Sequence, residues 1–277
     1  MATAGVIGLG AIGGGVATCL ARAGMLTAVN DLMPDIVERW PTIGQVTGSN
    51  AAVGRLADTI LIAVLSADQV IEVLSGDDGV LTQARPGMNI VVLSTVSLTD
   101  LGRIRVLTDA AGVGLIDSGV TGGPKAAENG LICLVGGDEK PLAAVMPVLD
   151  AFARSVSVMG GPGAGMAAKI ARNIVVYGSA RAGYEAAKLC RAAGIDVHQL
   201  TRVIEDSADA VGGPMMMMGR PLDPLTDAGE GKLRLYVLGQ LDKDLAAAID
   251  LGATLGVDLP LAKLTRDTGR EVVGLDG

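Results

Sequence analysis

Through the first 160 residues, short aliphatic runs alternate with stretches of helical pattern, and few folds accommodate that alternation. The runs are "AGVIGL" (4–9), "LTAVN" (26–30), "TILIAVL" (59–65), "NIVVLST" (89–95), "GVGLID" (112–117), "LICLVG" (131–136) and "SVSVMG" (155–160). Between them the spacing predicts helices over 11–23, 67–75, 97–111 and 138–152. Several runs are apolar at every position, as strands read when helices cover both faces of a parallel sheet. After "MGGPGAG" (159–165) no strand-like run recurs, and helices are predicted at 164–193, 196–209, 213–219, 231–255 and 259–271. The expected architecture is a mostly parallel α/β domain over 1–160, followed by an all-α domain over 161–277.

The first turn sharpens that expectation. Gly8, Gly10 and Gly13 stand in G-x-G-x-x-G spacing directly after a strand and at the opening of a helix. Gly8 permits the tight turn, Gly10 lets backbone approach a pyrophosphate, and Gly13 lets the helix pack on the strand. The free amides of the helix start would then hold the phosphates, and Leu9, Ala11 and Ile12 of the same turn are further cofactor-binding candidates. The second strand runs into Asp31, 18 residues past Gly13, where a carboxylate accepts hydrogen bonds from an adenosine ribose. Asp31 would repel a 2′-phosphate by roughly 4 kcal/mol at contact with an effective dielectric near 20. No arginine follows it until Arg39. The first domain therefore reads as Rossmann-type, with NAD favoured over NADP; the plainer reading of Asp31 is a turn residue.

Composition removes other classes. A net charge of −8 without a basic run argues against nucleic acid. No apolar stretch reaches the roughly 18 residues of a membrane span, and the start is not patterned as a signal peptide. Cys19, Cys133 and Cys190 are odd in number and widely spaced, which fits reduced core thiols and a cytoplasmic location. With one histidine and no paired ligands, no metal site is expected.

A nicotinamide enzyme that oxidises an alcohol needs a base for the hydroxyl proton. His198, in "GIDVHQL", reads as a solvated residue at a helix start. Lys169 and Asn173, in "GMAAKIARN", lie one turn apart on one face of the helix after the domain junction. Apolar neighbours would lower the lysine's pKa, and the asparagine amide can both donate to and accept from a substrate oxygen. The alternative is the polar edge of an ordinary helix. In "DSGVTGGPKAAENG" (117–130), Thr121, Gly122 and Gly123 form either a carboxylate-binding turn or a plain loop.

Together these residues resemble the β-hydroxyacid dehydrogenase family, which includes 3-hydroxyisobutyrate dehydrogenases and tartronate semialdehyde reductases. The family's G-L-G-x-M-G-x-x-M-A appears as "GLGAIGGGVA", its D-A-P-V-S-G-G as "DSGVTGG", its G-x-G-x-x-x-K-x-x-x-N as "GAGMAAKIARN", and its late K-D-L within "LDKDLAAA". "STVS" (94–97) and "NDLMPD" (30–35) also match. The resemblance implies reversible NAD-linked oxidation of a small 3-hydroxy acid, with Lys169 as acid/base and Asn173 orienting the substrate. It implies that Thr121, Gly122 and Gly123 grip the substrate carboxylate and that Leu65 and Thr95 lie against the cofactor. Lys243 would approach nicotinamide and substrate from the helical domain.

Departures mark what is particular to this chain. Thr121 stands where serine is usual, which would tighten the pocket around smaller substrates. Gly119 replaces a proline and would loosen the preceding loop. "IVVY" after Asn173 carries no carboxylate, which disfavours the oxidative decarboxylation of the related 6-phosphogluconate dehydrogenases. Other readings are a threonate-like sugar acid as substrate, an imine reductase (these usually lack the lysine), and a non-catalytic NAD-binding interaction protein. The last would be expected to lack Lys169 or Asn173. Arg220, Lys232, Arg234 and Tyr236 are nominated as pocket residues, and for the charged ones a solvated loop position is the plain alternative. The four methionines at 215–218 read as adaptable packing, and a homodimer or homotetramer is expected.

Overall fold

The computed structural model describes residues 2–44, 46–211, 218 and 228–276. The chain forms two compact units, Met1–Asn173 and Ile174–Gly277. The first contains β1 (Ala4–Ile7), α1 (Ala11–Arg22), β2 (Leu26–Asn30), α2 (Asn50–Leu56), β3 (Thr59–Ile62), α3 (Ala67–Ser75), β4 (Asn89–Val92), α4 (Leu98–Ala110), β5 (Gly114–Thr121), β6 (Leu131–Gly137), α5 (Glu139–Phe152) and β7 (Ala153–Gly160). Helix α6 (Ala164–Ala192) begins in this unit and ends in the second.

All seven predicted strands join one sheet in the order β2-β1-β3-β4-β5-β6-β7. Every pair is parallel except β5 and β6, which run antiparallel from Ile116↔Gly137 to Thr121↔Ile132. Strand alternation sends Val6 into one core layer and Ile7 into the other, because successive side chains point to opposite faces. Each layer is aliphatic, and the single phenylalanine, Phe152, is fully buried in one of them. Burying a side chain of that size contributes roughly 1.5–3 kcal/mol. With β2 and β3 on opposite sides of β1, the chain reverses direction across the sheet there. That leaves a crevice at the strands' carboxyl ends, where α/β sheets bind ligands.

Three helices are closed by serine. The hydroxyls of Ser49, Ser66 and Ser97 accept from the amides of Ala52, Gln69 and Asp100 at 3.1–3.2 Å. Such a cap is worth about 1 kcal/mol. Helix α1 instead starts at Gly10 with no side-chain cap.

The second unit adds α7 (Val197–Val211), α8 (Ala228–Leu255), α9 (Pro260–Asp267) and α10 (Gly269–Val272). The carboxylate of Glu185 on α6 accepts from the amides of Leu261 and Ala262, at 2.8 and 3.2 Å, and pairs with Arg181 at 2.9 Å. The helix expected over 259–271 breaks at Thr268 into α9 and α10. Helix α2 had no counterpart in the sequence pattern. The predicted helix 213–219, the methionine run apart from Met218, and Arg220 lie outside the described residues.

Candidate active site

The glycine turn is built as its spacing requires. Gly8 has φ +86°, and a Cβ there would lie 2.5 Å from the Ala63 carbonyl oxygen. A Cβ on Gly13 would lie 1.8 Å from the Gly8 carbonyl oxygen, so helix α1 rests directly on the turn. Around Gly10 there is open space, with nothing within 4 Å of a Cβ. The first turn of α1 thus points uncapped amides at a clear approach, which fits the pyrophosphate of a dinucleotide. Asp31, just past β2, accepts from the Leu9 amide at 2.6 Å and the Met33 amide at 2.9 Å. It therefore shapes the turn.

Trp40, which the sequence reading did not use, braces the same turn. Its indole N–H donates to the Leu9 carbonyl at 2.9 Å, and its ring fills the place of a Gly14 side chain. Gly15 makes room for Ala126 and Ala127, so the segment after β5 also lies on α1. Glycines at these positions in the sequence were the signal for such close packing. Leu65 and Thr95 are exposed at the carboxyl ends of β3 and β4. The Ser94 hydroxyl ties these ends together, accepting from the Val64 amide at 3.0 Å and donating to its carbonyl at 2.8 Å.

Thr121 closes β5, which runs four residues further than the strand predicted to end at 117. Gly122 takes φ +95°, and a Cβ on Gly123 would meet Ile12 Cδ1 at 3.3 Å. The turn proposed for a carboxylate and the turn for a dinucleotide are therefore neighbours.

Lys169 enters from α6. Its helix is seated by Asp117, a buried β5 carboxylate that accepts from the amides of Gly163 and Met166, each at 2.7 Å. Burial pushes the Asp117 carboxyl above its ordinary value, against those bonds. In the sequence, a lone carboxylate at the end of an apolar run is the signal for Asp117. Lys169 is 8% exposed, and burial, then the Arg172 charge, hold its pKa below the ordinary 10.5. Asn173, half-buried one turn on, accepts from the Arg172 guanidinium at 3.4 Å.

Gly119 does not loosen a loop: it lies inside β5. Arg234 is fully buried on α8, paired with Glu230 and donating to the Gly274 carbonyl, so it is structural. Lys232 and Tyr236 lie in the same helix, and both are exposed. Lys243 is on α8 in the second unit, where its ammonium meets Gln240 at 3.0 Å and Asp244 at 3.4 Å. His198 is exposed. Burial pushes the Cys133 thiol up to about 11, as suits core filler. Among the described residues no group of His, Cys, Asp and Glu could hold a metal, and no helix is long and apolar enough to cross a membrane.

The chain matches two family models. One, the NAD binding domain of 6-phosphogluconate dehydrogenase, covers residues 3–161; the other, the NAD-binding of NADP-dependent 3-hydroxyisobutyrate dehydrogenase, covers 163–274. An oxidoreductase structure from Mycobacterium avium is similar over 100% of both chains, with 32% identity and a TM-score of 0.86. A Mycobacterium tuberculosis 3-hydroxyisobutyrate dehydrogenase structure with L-serine covers 96% of this chain and 92% of its own, with 28% identity and a TM-score of 0.68. The Escherichia coli L-threonate dehydrogenase is 29% identical over 93% of this chain and 85% of its own length.

Proposed function

This chain belongs to the β-hydroxyacid dehydrogenase family, and on that premise we propose that it oxidises a small 3-hydroxy acid reversibly, with NAD as the coenzyme. The observation that carries the proposal is Lys169, 8% exposed and with its pKa depressed, on a helix anchored to the strand that ends in the Thr121–Gly123 turn. Gly8–Gly13 and Asp31 would hold the dinucleotide, with Leu65 and Thr95 beside it. Held there, a nicotinamide would supply the hydride acceptor for the hydroxyl-bearing carbon.

The chain's own residues handle the proton and the orientation. Neutral Lys169 takes the hydroxyl proton on Nζ, and the ammonium returns it in the reverse direction. The Asn173 oxygen faces Arg172, which leaves Nδ2 to donate to the substrate oxygen. The Thr121 hydroxyl and the amides of Gly122 and Gly123 would bind the carboxylate, and the Thr121 methyl favours small substrates.

Oligomerisation follows from apolar exposure. Ile174 and Tyr177 on α6 are 72% and 71% exposed, and Leu233, Leu235 and Tyr236 on α8 are also uncovered. Surfaces of this kind mark protein contacts, so we read a homodimer or homotetramer. Unpaired, buried cysteines fit a reducing, cytoplasmic setting.

Turnover of 3-hydroxy acids (3-hydroxyisobutyrate, L-serine) and of L-threonate, with NAD or NADP, tests the reading alongside Lys169→Ala. NAD reduction with a 3-hydroxy acid, lost about 10²–10⁴-fold in the variant, is expected. A fully active Lys169→Ala enzyme would refute the mechanism. Threonate as the best substrate would favour the sugar-acid alternative, and a monomeric mass by light scattering would remove the assembly proposal.

A further inference from the structure

Gly119 lies two residues beyond Asp117 on β5 and on the same face of the strand. A Cβ at this position would lie 2.3 Å from Lys169 Cβ, 2.8 Å from Lys169 Cγ and 3.2 Å from the Gly165 carbonyl oxygen. Carbon atoms normally approach to about 3.5–4.0 Å. The stem of the lysine therefore occupies the space that a side chain at 119 would take.

Helix α6 has no easy way to give ground. Asp117 holds the amides of Gly163 and Met166. A Cβ on Gly165 would lie 2.4 Å from the Leu134 carbonyl oxygen, so the helix backbone already rests on β6. A side chain at 119 would have to displace Lys169 itself, by about 1.2–1.7 Å if ordinary contact with its Cβ is to be restored.

We propose that Gly119 is a positioning residue for Lys169: with no side chain at 119, the lysine stem lies flat on β5, and this sets how far its ammonium stands from the substrate. The proposal rests on the reading of Lys169 as acid/base. The same position carries proline in the family motif that "DSGVTGG" resembles, so the seat belongs to this chain rather than to the pattern. Depth also governs basicity, since burial is the first cause of the depressed lysine pKa. The charge that acts on Lys169 is Arg172 on its own helix; Asp117, on the facing strand, is spent on backbone amides.

The test is Gly119→Ala in the full-length enzyme with the best substrate of the panel. Kinetics across pH are measured together with NADH affinity and thermal midpoint. A displacement near 1 Å is expected to lower kcat by about 10–10²-fold, with KM less affected. The acidic limb of oxidation should move to higher pH as the amine meets more water, while NADH affinity stays within about twofold. Lys169→Gly supplies the second background: there the methyl at 119 has room, so the stability penalty of Gly119→Ala should shrink, even if the single variant folds poorly. A wild-type kcat and pH limb in Gly119→Ala, beside an inactive Lys169→Ala, would overturn the proposal and leave the acid/base reading standing. An equal stability penalty in both backgrounds would overturn it too. An active Lys169→Ala would remove the acid/base reading, and the positioning role with it.

Discussion

Two glycines in one turn should fail in opposite ways. At Gly13 a methyl would sit 1.8 Å from the Gly8 carbonyl oxygen, and that oxygen belongs to backbone held at the end of β1. To reach even 3.0 Å, helix α1 must retreat by about 1.2 Å. Overpacking of this kind costs roughly 1–3 kcal/mol, and an unyielding backbone puts Gly13→Ala at the upper end. At Gly10 the methyl meets nothing within 4 Å, and φ of −62° suits alanine. The folded chain should lose only the poorer N-cap, about 0.5–1 kcal/mol. Yet that methyl stands in the approach to the uncapped amides, where lost phosphate contact is worth about 1–2 kcal/mol, or roughly 5–30-fold in Kd. Trp40, the single tryptophan, bonds to Leu9 in this turn, so its fluorescence on NADH titration reports the affinity. Gly10→Ala should bind weakly with a near-normal thermal midpoint, whereas Gly13→Ala should melt early. NADH affinity in Gly10→Ala within twofold of wild type would refute the placement of the pyrophosphate.

Two further outcomes follow from the lysine end. Asp117→Asn keeps one acceptor oxygen for two amide donors and turns an NH₂ toward the other, which should cost about 2–4 kcal/mol; an unchanged denaturation midpoint would show that Asp117 does not clamp α6. Lys169 has a folded-state pKa below its unfolded 10.5, so between those values the unfolded chain binds more protons and wild-type stability rises with pH. Lys169→Met has no charge to bury: its thermal midpoint relative to wild type should be highest near pH 7 and fall toward pH 10, and a difference that grows with pH would contradict the burial.

How much was legible depended on the range of the forces involved. Local pattern located all seven strands, and the Gly8–Gly13 spacing located a turn whose conformations the structure reproduces, because strand burial and positive φ act within a few residues. The 3.6-residue helical period likewise put Lys169 and Asn173 one turn apart. Helix α2 escaped because seven residues carry too little periodicity. Arg234, read as a pocket residue or a solvated loop position, is neither, because its burial shows only once its partners, Glu230 and the Gly274 carbonyl, are known. Trp40 and Asp117 were visible as residue types, but their work is done across 31 and 46 residues of chain, on the Leu9 carbonyl and the Gly163 amide. By itself, the sequence determined an α/β domain opening on a dinucleotide turn, a helical continuation, and membership of one dehydrogenase family. Tertiary structure alone decided that Lys169 lies against Gly119, that Asp117 anchors its helix, and that Ile12 meets Gly123, because contacts between distant segments depend on close packing in three dimensions that no spacing along the chain encodes.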